Sequence, residues 1–181
     1  MEYELENQRK EILYLFEEYL VSNNSKNHSI RGFSKHINKT SSHIYSFFKN
    51  SEELYHELYV LRIENFDNNL EIVSFSPINE IILFTIKLIE GMFSNKNICR
   101  AIPTDIQYAH LRKYLYEKYY IMITNVKENT NIKVKADQET ITNLLVYLFI
   151  GFITLNSSLE KDEAIVLIKK SLMNFITTYF K

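Results

Sequence analysis

The stretch Phe33-Ser34-Lys35-His36-Ile37-Asn38-Lys39-Thr40-Ser41-Ser42-His43-Ile44-Tyr45-Ser46-Phe47-Phe48-Lys49-Asn50-Ser51-Glu52-Glu53-Leu54 decides how this chain folds. Two short helices are expected in and just before it, over residues 29–37 and 40–47. Each opens on a hydroxyl residue, Ser29 or Thr40, whose side chain can accept from free backbone N–H groups. Only Asn38 and Lys39 remain for the corner between them. Asn is among the few residues besides Gly that enter the left-handed backbone region at small cost, so a tight helix-turn-helix corner is expected at Ile37-Asn38-Lys39. A longer helix follows from Ser51, where Ser51-Glu52-Glu53 offers a cap and two carboxylates for the positive end of the helix dipole.

Charge sets this region apart. The whole chain carries 21 basic and 22 acidic side chains, a net charge of −1. From Lys26 to Asn50, however, there is no Asp or Glu, while Lys26, Arg31, Lys35, Lys39 and Lys49 are positive and His28, His36 and His43 can add partial charge. The acids of the N-terminal part all precede residue 19, and the next fifty residues are net acidic. The total excludes a broadly basic DNA-coating protein, and its distribution points to a small basic head. His36 and His43 lack the spacing of helical metal ligands, so no metal site is expected.

Composition bounds the rest. A chain of 181 residues that is 46% hydrophobic can bury a real core in one or two units and is too apolar to be disordered. Three glycines and two prolines cannot supply the turns of a many-stranded sandwich or barrel, so the expected class is all-α. The single cysteine, Cys99, excludes a disulfide framework and a thiolate zinc site. It reads as a packed structural thiol, with a redox sensor as the alternative. The N-terminus is charged from Glu2 and has no apolar run, so no signal peptide and a cytoplasmic location are expected. No Gly-rich phosphate loop, nucleophile elbow or paired metal motif is present, so no enzyme, catalytic residue or cofactor is expected.

Outward from the central stretch, helices are expected over residues 6–21, with Ile12, Leu13, Phe16, Tyr19 and Leu20 on one face and Arg9, Lys10, Glu17 and Glu18 elsewhere, and over 51–73. Further helices are expected over 77–93, opened by Pro77, and over 108–126, rich in tyrosine, with a less readable short piece at 98–108. Two strongly apolar helices close the chain, over 137–156 and 159–180. The count is about nine helices and no strand.

The central stretch resembles the DNA-binding domain of the TetR family of bacterial transcriptional regulators, which usually reads apolar-Ala-x-x-Ala-Gly-Val-Ser-x-x-x-apolar-Tyr-x-x-Phe-x-x-Lys-x-x-Leu. Phe33, Ser34, Thr40, Ile44, Tyr45, Phe48 and Leu54 keep that spacing, and the resemblance covers residues 8–55. Asn38 replaces the turn glycine, Ile37 a small alanine, Lys39 a buried valine, and Ser51 a lysine that commonly approaches phosphate. Arg31 and Gly32 sit where the second helix often has a basic and an acidic residue. The resemblance implies a helix-turn-helix DNA-binding domain over 1–50 and a helical effector-binding and dimerisation domain over 51–181.

Side-chain chemistry supports the same use of the head. Thr40, Ser41, Ser42, His43 and Ser46 offer short donors and acceptors to base edges and phosphates. Lys35, Lys39 and Lys49 are expected on phosphates, and Ser29 and Arg31 complete the expected DNA-facing set. Tyr45 can place its hydroxyl on a phosphate or simply pack, while Ile44 and Phe48 belong to the core.

An effector pocket is expected between residues 58 and 126. Its candidate lining is Phe66, Phe84, Leu88, Ile89, Met92 and Phe93 with Tyr108, Tyr114, Tyr119 and Met122, core packing being the alternative for each. A homodimer interface is expected on the last two helices. Leu144, Leu145, Leu148, Phe149, Phe152 and Leu155 would meet Leu167, Ile168, Leu172, Phe175, Ile176 and Tyr179 of a second copy in a four-helix bundle, with Gly151 permitting close approach and an internal core as the alternative. Residues 141–155 are shorter than the roughly twenty needed to cross a bilayer, so no membrane partner is expected. The expected function is a homodimeric repressor that binds a double-stranded DNA operator and is released by a small apolar or aromatic effector. The alternative is a helical interaction or sensor protein of the same fold that has lost sequence-specific DNA binding.

Overall fold

The computed structural model describes residues 2–22, 29–72, 76–94, 104–155 and 159–181. Among them lie eight helices: α1 (Glu2–Ser22), α2 (Ile30–His36), α3 (Ser41–Tyr45), α4 (Ser51–Asn68), α5 (Pro77–Ser94), α6 (Thr104–Asn129), α7 (Gln138–Leu155) and α8 (Lys161–Tyr179). The only extended pairing among the described residues is an isolated antiparallel bridge between Val134 and Phe180. The all-α expectation holds, with eight helices among the described residues against about nine expected. Most of the short piece expected at 98–108 lies outside the described residues, as does Cys99, and α6 already begins at Thr104. Helix α4 stops before residue 73, where the Asn69 and Leu70 amides donate to Phe66 and Asp67 carbonyls at 3.2 and 3.1 Å and tighten its last turn.

The chain divides into two compact units. The first comprises Met1–Asn65 and the start of α6 up to Gln107. Its core collects Ile12, Leu13, Phe16 and Leu20 of α1 with Phe33, Ile44, Phe48, Leu54 and Leu58. The Phe16 ring lies 4.9 Å from Phe33 and 5.1 Å from Tyr55, centroid to centroid. Each fully buried Phe, Ile or Leu contributes about 1.5–3 kcal/mol relative to exposure. This unit runs past residue 50 because α4 is tied to α1 by the Phe16–Tyr55 contact, by Arg9 with Glu53 and Glu57, and by Arg62 with Glu17 at 2.7 Å.

The second unit comprises Phe66–Ser94 and Tyr108–Lys181. The apolar stripe of α5, including Ile81, Phe84, Leu88 and Ile89, packs against α8, which buries Ala164, Ile168, Leu172, Phe175 and Ile176. Leu115, Tyr119, Ile123 and Val126 of α6 and Ile141, Leu145, Val146 and Phe149 of α7 complete the core. One polar pair sits inside it: the Thr85 hydroxyl lies 2.8 Å from that of Tyr119 and 2.7 Å from the Ile81 carbonyl, and both residues are fully buried. Asp67 accepts from the Tyr114 hydroxyl at 2.9 Å and from Lys118 at 2.8 Å, which pins the end of α4 to α6 within this unit. By length and mean hydropathy, α7 could cross a membrane, but its face bearing Ile141, Leu145, Val146 and Phe149 is packed in the protein interior.

Candidate nucleic-acid interface

The two short helices of the head are built by caps and core contacts, because helices of 7 and 5 residues are not stable alone. The Ser29 hydroxyl accepts from the Gly32 amide at 3.0 Å, and the Thr40 hydroxyl accepts from the His43 amide at 3.1 Å. Asn38 has φ of 54°, the left-handed conformation expected from its chemistry. With it there, the Lys39 amide donates to the Ser34 carbonyl at 2.8 Å and the Asn38 amide to the Lys35 carbonyl at 3.2 Å. That double bond pattern is the usual way a glycine closes a helix, here supplied by asparagine. The Ser34 and Ser41 hydroxyls, 3.2 Å apart, join α2 to α3 across the corner.

Anchored by fully buried Ile44 and Phe48, α3 presents its other side to solvent. Ser42, Tyr45 and Ser46 are exposed there, and Ser41 and His43 are half-buried, with the His43 ring 5.3 Å from Phe47. Tyr45 is 48% exposed, so its ring is not a core element and its hydroxyl is available to a phosphate. The Ser46 hydroxyl donates to the His43 carbonyl at 2.7 Å and keeps its lone pairs for an incoming donor. Arg31, Lys35, Lys39 and Lys49 are all exposed, and no carboxylate occurs between residues 29 and 50. Helix α4 is capped by Asn50, whose side chain accepts from the Glu53 amide at 2.8 Å, rather than by Ser51 as expected.

Sequence reasoning missed Arg9, which it placed on a polar face of α1. Its guanidinium donates to the carboxylate of Glu57 through Nε at 2.7 Å and through Nη2, reaches Glu53 at 3.1 Å, and donates through Nη1 to the Phe47 carbonyl. It also lies over the Phe48 ring, 4.7 Å from the centroid. The Lys49 backbone N–H, assisted by Arg9, holds the Glu53 carboxyl below its ordinary range. Glu53 and Glu57, one helical turn apart on α4, were the available sequence signal, but their partner lies 44 and 48 positions away.

The other expected sites fall in the second unit. Phe84, Leu88, Tyr114 and Tyr119 are buried there, while Phe66, Met92, Phe93, Tyr108 and Met122 are half-buried. Phe84 packs edge-on to Tyr119 at 5.4 Å and against Tyr114 at 6.1 Å, so these rings fill space against one another. An open cleft of about 750 Å³ lies between α6 and α7, lined by Arg112, Lys113, Tyr116, Glu117, Glu139, Asn143 and Tyr147 among others, and none of the expected pocket residues lines it. Of the expected interface residues, Leu145, Phe149, Leu172, Phe175 and Ile176 are buried within the single chain, whereas Leu144, Leu148, Phe152 and Tyr179 are half-buried. The apolar side chains that α7 and α8 expose are Tyr147, Leu155, Val166, Leu167 and Met173. Gly151 has nothing within 4 Å of where a Cβ would stand. No group of three or more metal-ligating side chains occurs among the described residues.

No family profile matches the sequence, and no curated protein matches it. Solved structures match over nearly the whole chain. A candidate TetR-family transcriptional regulator from Mesorhizobium loti MAFF303099 superposes with a TM-score of 0.67 at 12% identity, over 97% of this chain and 98% of the other. A protein solved for the molecular basis of control of antibiotic production by bacterial hormones gives 0.71 at 13% identity, over 97% and 98%. NalD of Pseudomonas aeruginosa, the secondary repressor of the MexAB-OprM multidrug efflux pump, gives 0.61 at 11% identity, over 95% and 96%. The fold of this chain is that of the TetR-family transcriptional regulators.

Proposed function

We propose that the chain is a homodimeric transcriptional regulator that reads a double-stranded DNA operator in the cytoplasm through α2 and α3, acts as a repressor, and is released by a small apolar or aromatic effector. The observation that carries this reading is the Asn38 corner, from which α3 turns Ser42, His43 and Tyr45 to its solvent side in a segment whose Lys35, Lys39 and Lys49 are exposed and which has no carboxylate. Short polar side chains reach base edges, and the lysines neutralise phosphates. Arg31 and Ser29 at the start of α2, with Thr40, Ser41 and Ser46, complete the contact set.

One such head touches few bases, so two copies on a two-fold site are the usual solution. Exposed Leu155, Val166, Leu167 and Met173, with half-buried Leu144 and Leu148, give a second copy apolar surface to cover. The likeness to NalD, a repressor, favours repression, and the likeness to a protein solved for the molecular basis of control of antibiotic production by bacterial hormones favours a small-molecule effector. The effector would enter among the half-buried Phe66, Met92, Phe93 and Met122 of the second unit. No catalysis and no cofactor are part of this role.

The test is binding to the promoter region upstream of the chain's own gene at several salt concentrations. Site-specific affinity is expected, with a slope on salt that falls by about 0.9 for each lysine contact removed by Lys35→Gln, Lys39→Gln or Lys49→Gln. Equal affinity for promoter and unrelated duplex, or affinity unchanged by replacing Lys39, His43 and Tyr45 together, overturns the proposal and favours the interaction-protein alternative.

A further inference from the structure

Helix α3 has 5 residues, too few to hold its own direction, so its aim depends on how its two ends are fastened. The leading end is fastened to α2 by the Lys39 amide on the Ser34 carbonyl and by the Ser34–Ser41 contact. The trailing end leaves through Phe47 and Phe48 toward α4, and there Arg9 gathers three parts of the head on one planar group. Its Nε and Nη2 form a fork on the Glu57 carboxylate, Nη2 also reaches Glu53 at 3.1 Å, and Nη1 takes the Phe47 carbonyl. Glu53 in turn accepts from the Lys49 backbone N–H, so the residues leaving α3 are held at a carbonyl and at an amide by one ion-pair cluster. The guanidinium is flanked by two carboxylates and covers the Phe48 ring at 4.7 Å, which makes it a poor phosphate ligand.

We infer that Arg9 is a positioning residue for base reading: it sets the angle at which α3 presents Ser42, His43 and Tyr45, and so governs discrimination between DNA sequences rather than attraction to phosphate. The inference rests on the DNA-binding reading above. Lysine at position 9 keeps the charge, but it is a point donor that cannot hold the fork on Glu57 and the Phe47 carbonyl together. Sequence-independent attraction remains with Lys35, Lys39 and Lys49, which Arg9 does not touch.

The experiment compares the full-length wild type, Arg9→Lys, Glu57→Gln and the double variant on two duplexes at several salt concentrations. One duplex is selected by the wild-type chain from a randomised pool, and the other is its scrambled counterpart. Circular dichroism melting sets a temperature at which all four proteins are folded. Both variants are expected to lose roughly tenfold or more of the selected-to-scrambled affinity ratio, because a misaimed helix forfeits at least one base contact. Affinity for the scrambled duplex and its salt slope stay at the wild-type value. The double variant loses no more than the worse single one, since both break the same fork. A ratio that Arg9→Lys leaves unchanged overturns the inference while the DNA-binding reading stands. A parallel loss on both duplexes also overturns it, because that is the mark of a residue that only stabilises the fold. A wild type that selects no sequence removes the reading and the inference together.

Discussion

The buried pair Thr85–Tyr119 allows a prediction in which the direction of a hydrogen bond decides the order of two mutants. The Thr85 hydroxyl has one proton, and it donates to the Ile81 carbonyl at 2.7 Å. The Tyr119 hydroxyl, 2.8 Å away, is therefore the donor to Thr85. Thr85→Val keeps the shape but removes the acceptor, leaving the Tyr119 O–H with no partner in a site that is 0% exposed. Stranding a buried donor costs about 1–3 kcal/mol. Tyr119→Phe removes donor and proton together and leaves Thr85 bonded to Ile81, so its cost is the net worth of one bond, about 0.5–1.5 kcal/mol. In the double variant no polar group is stranded, so it is expected to be more stable than Thr85→Val alone. Urea unfolding with the slope on denaturant unchanged across the series measures this directly. Thr85→Val no worse than Tyr119→Phe, or strictly additive losses in the double variant, refutes the assigned direction. Burial also raises the Tyr119 pKa above that of an ordinary phenol, so its absorbance should not titrate until the protein unfolds in alkali.

Other consequences follow from single features. Asn38→Gly is expected to be neutral or stabilising by a few tenths of a kcal/mol, whereas Asn38→Val, forced to φ of 54°, loses about 1 kcal/mol or more in the melting curve. Leu155→Glu together with Val166→Glu should leave the helical circular dichroism intact but shift the chain from dimer to monomer in sedimentation, because both side chains are more than half exposed in the single protomer. Asp137 bonds the Thr140 hydroxyl and amide at the start of α7, which holds its pKa below the ordinary carboxylate value. Its folded-state pKa is depressed, so its stabilisation is present above the unfolded value of about 3.9 and disappears as the pH falls through the folded one. Asp137→Ala should accordingly flatten the acid limb of a stability-against-pH profile.

Local features of the head were legible because their causes are local. Ser29, Thr40 and Asn38 act on amides and carbonyls within four residues, so residue type and spacing suffice to place the corner. Asn50 was passed over for Ser51 because both can cap a helix and stand side by side. What depended on distant partners was not legible. Arg9 meets Glu57 across 48 positions, and nothing near Arg9 marks it as different from Lys10. Helices α7 and α8 are apolar on more than one face, so the sequence could not separate Leu145, Phe149 and Ile168, which pack inward, from Leu155, Val166 and Leu167, which remain exposed. Tyrosines such as Tyr114 and Tyr119 read equally as pocket lining and as core, and their hydroxyls are engaged by Asp67 and Thr85.

Hydroxyl-radical footprinting of the wild-type chain on a duplex it selects tests the central claim most directly. Two protected blocks on one face of the duplex, about one helical turn or a whole number of turns apart and each lost with Lys39→Gln and Tyr45→Phe combined, are the predicted result. No protected block, or uniform protection that follows the length of the duplex and not its sequence, would contradict it.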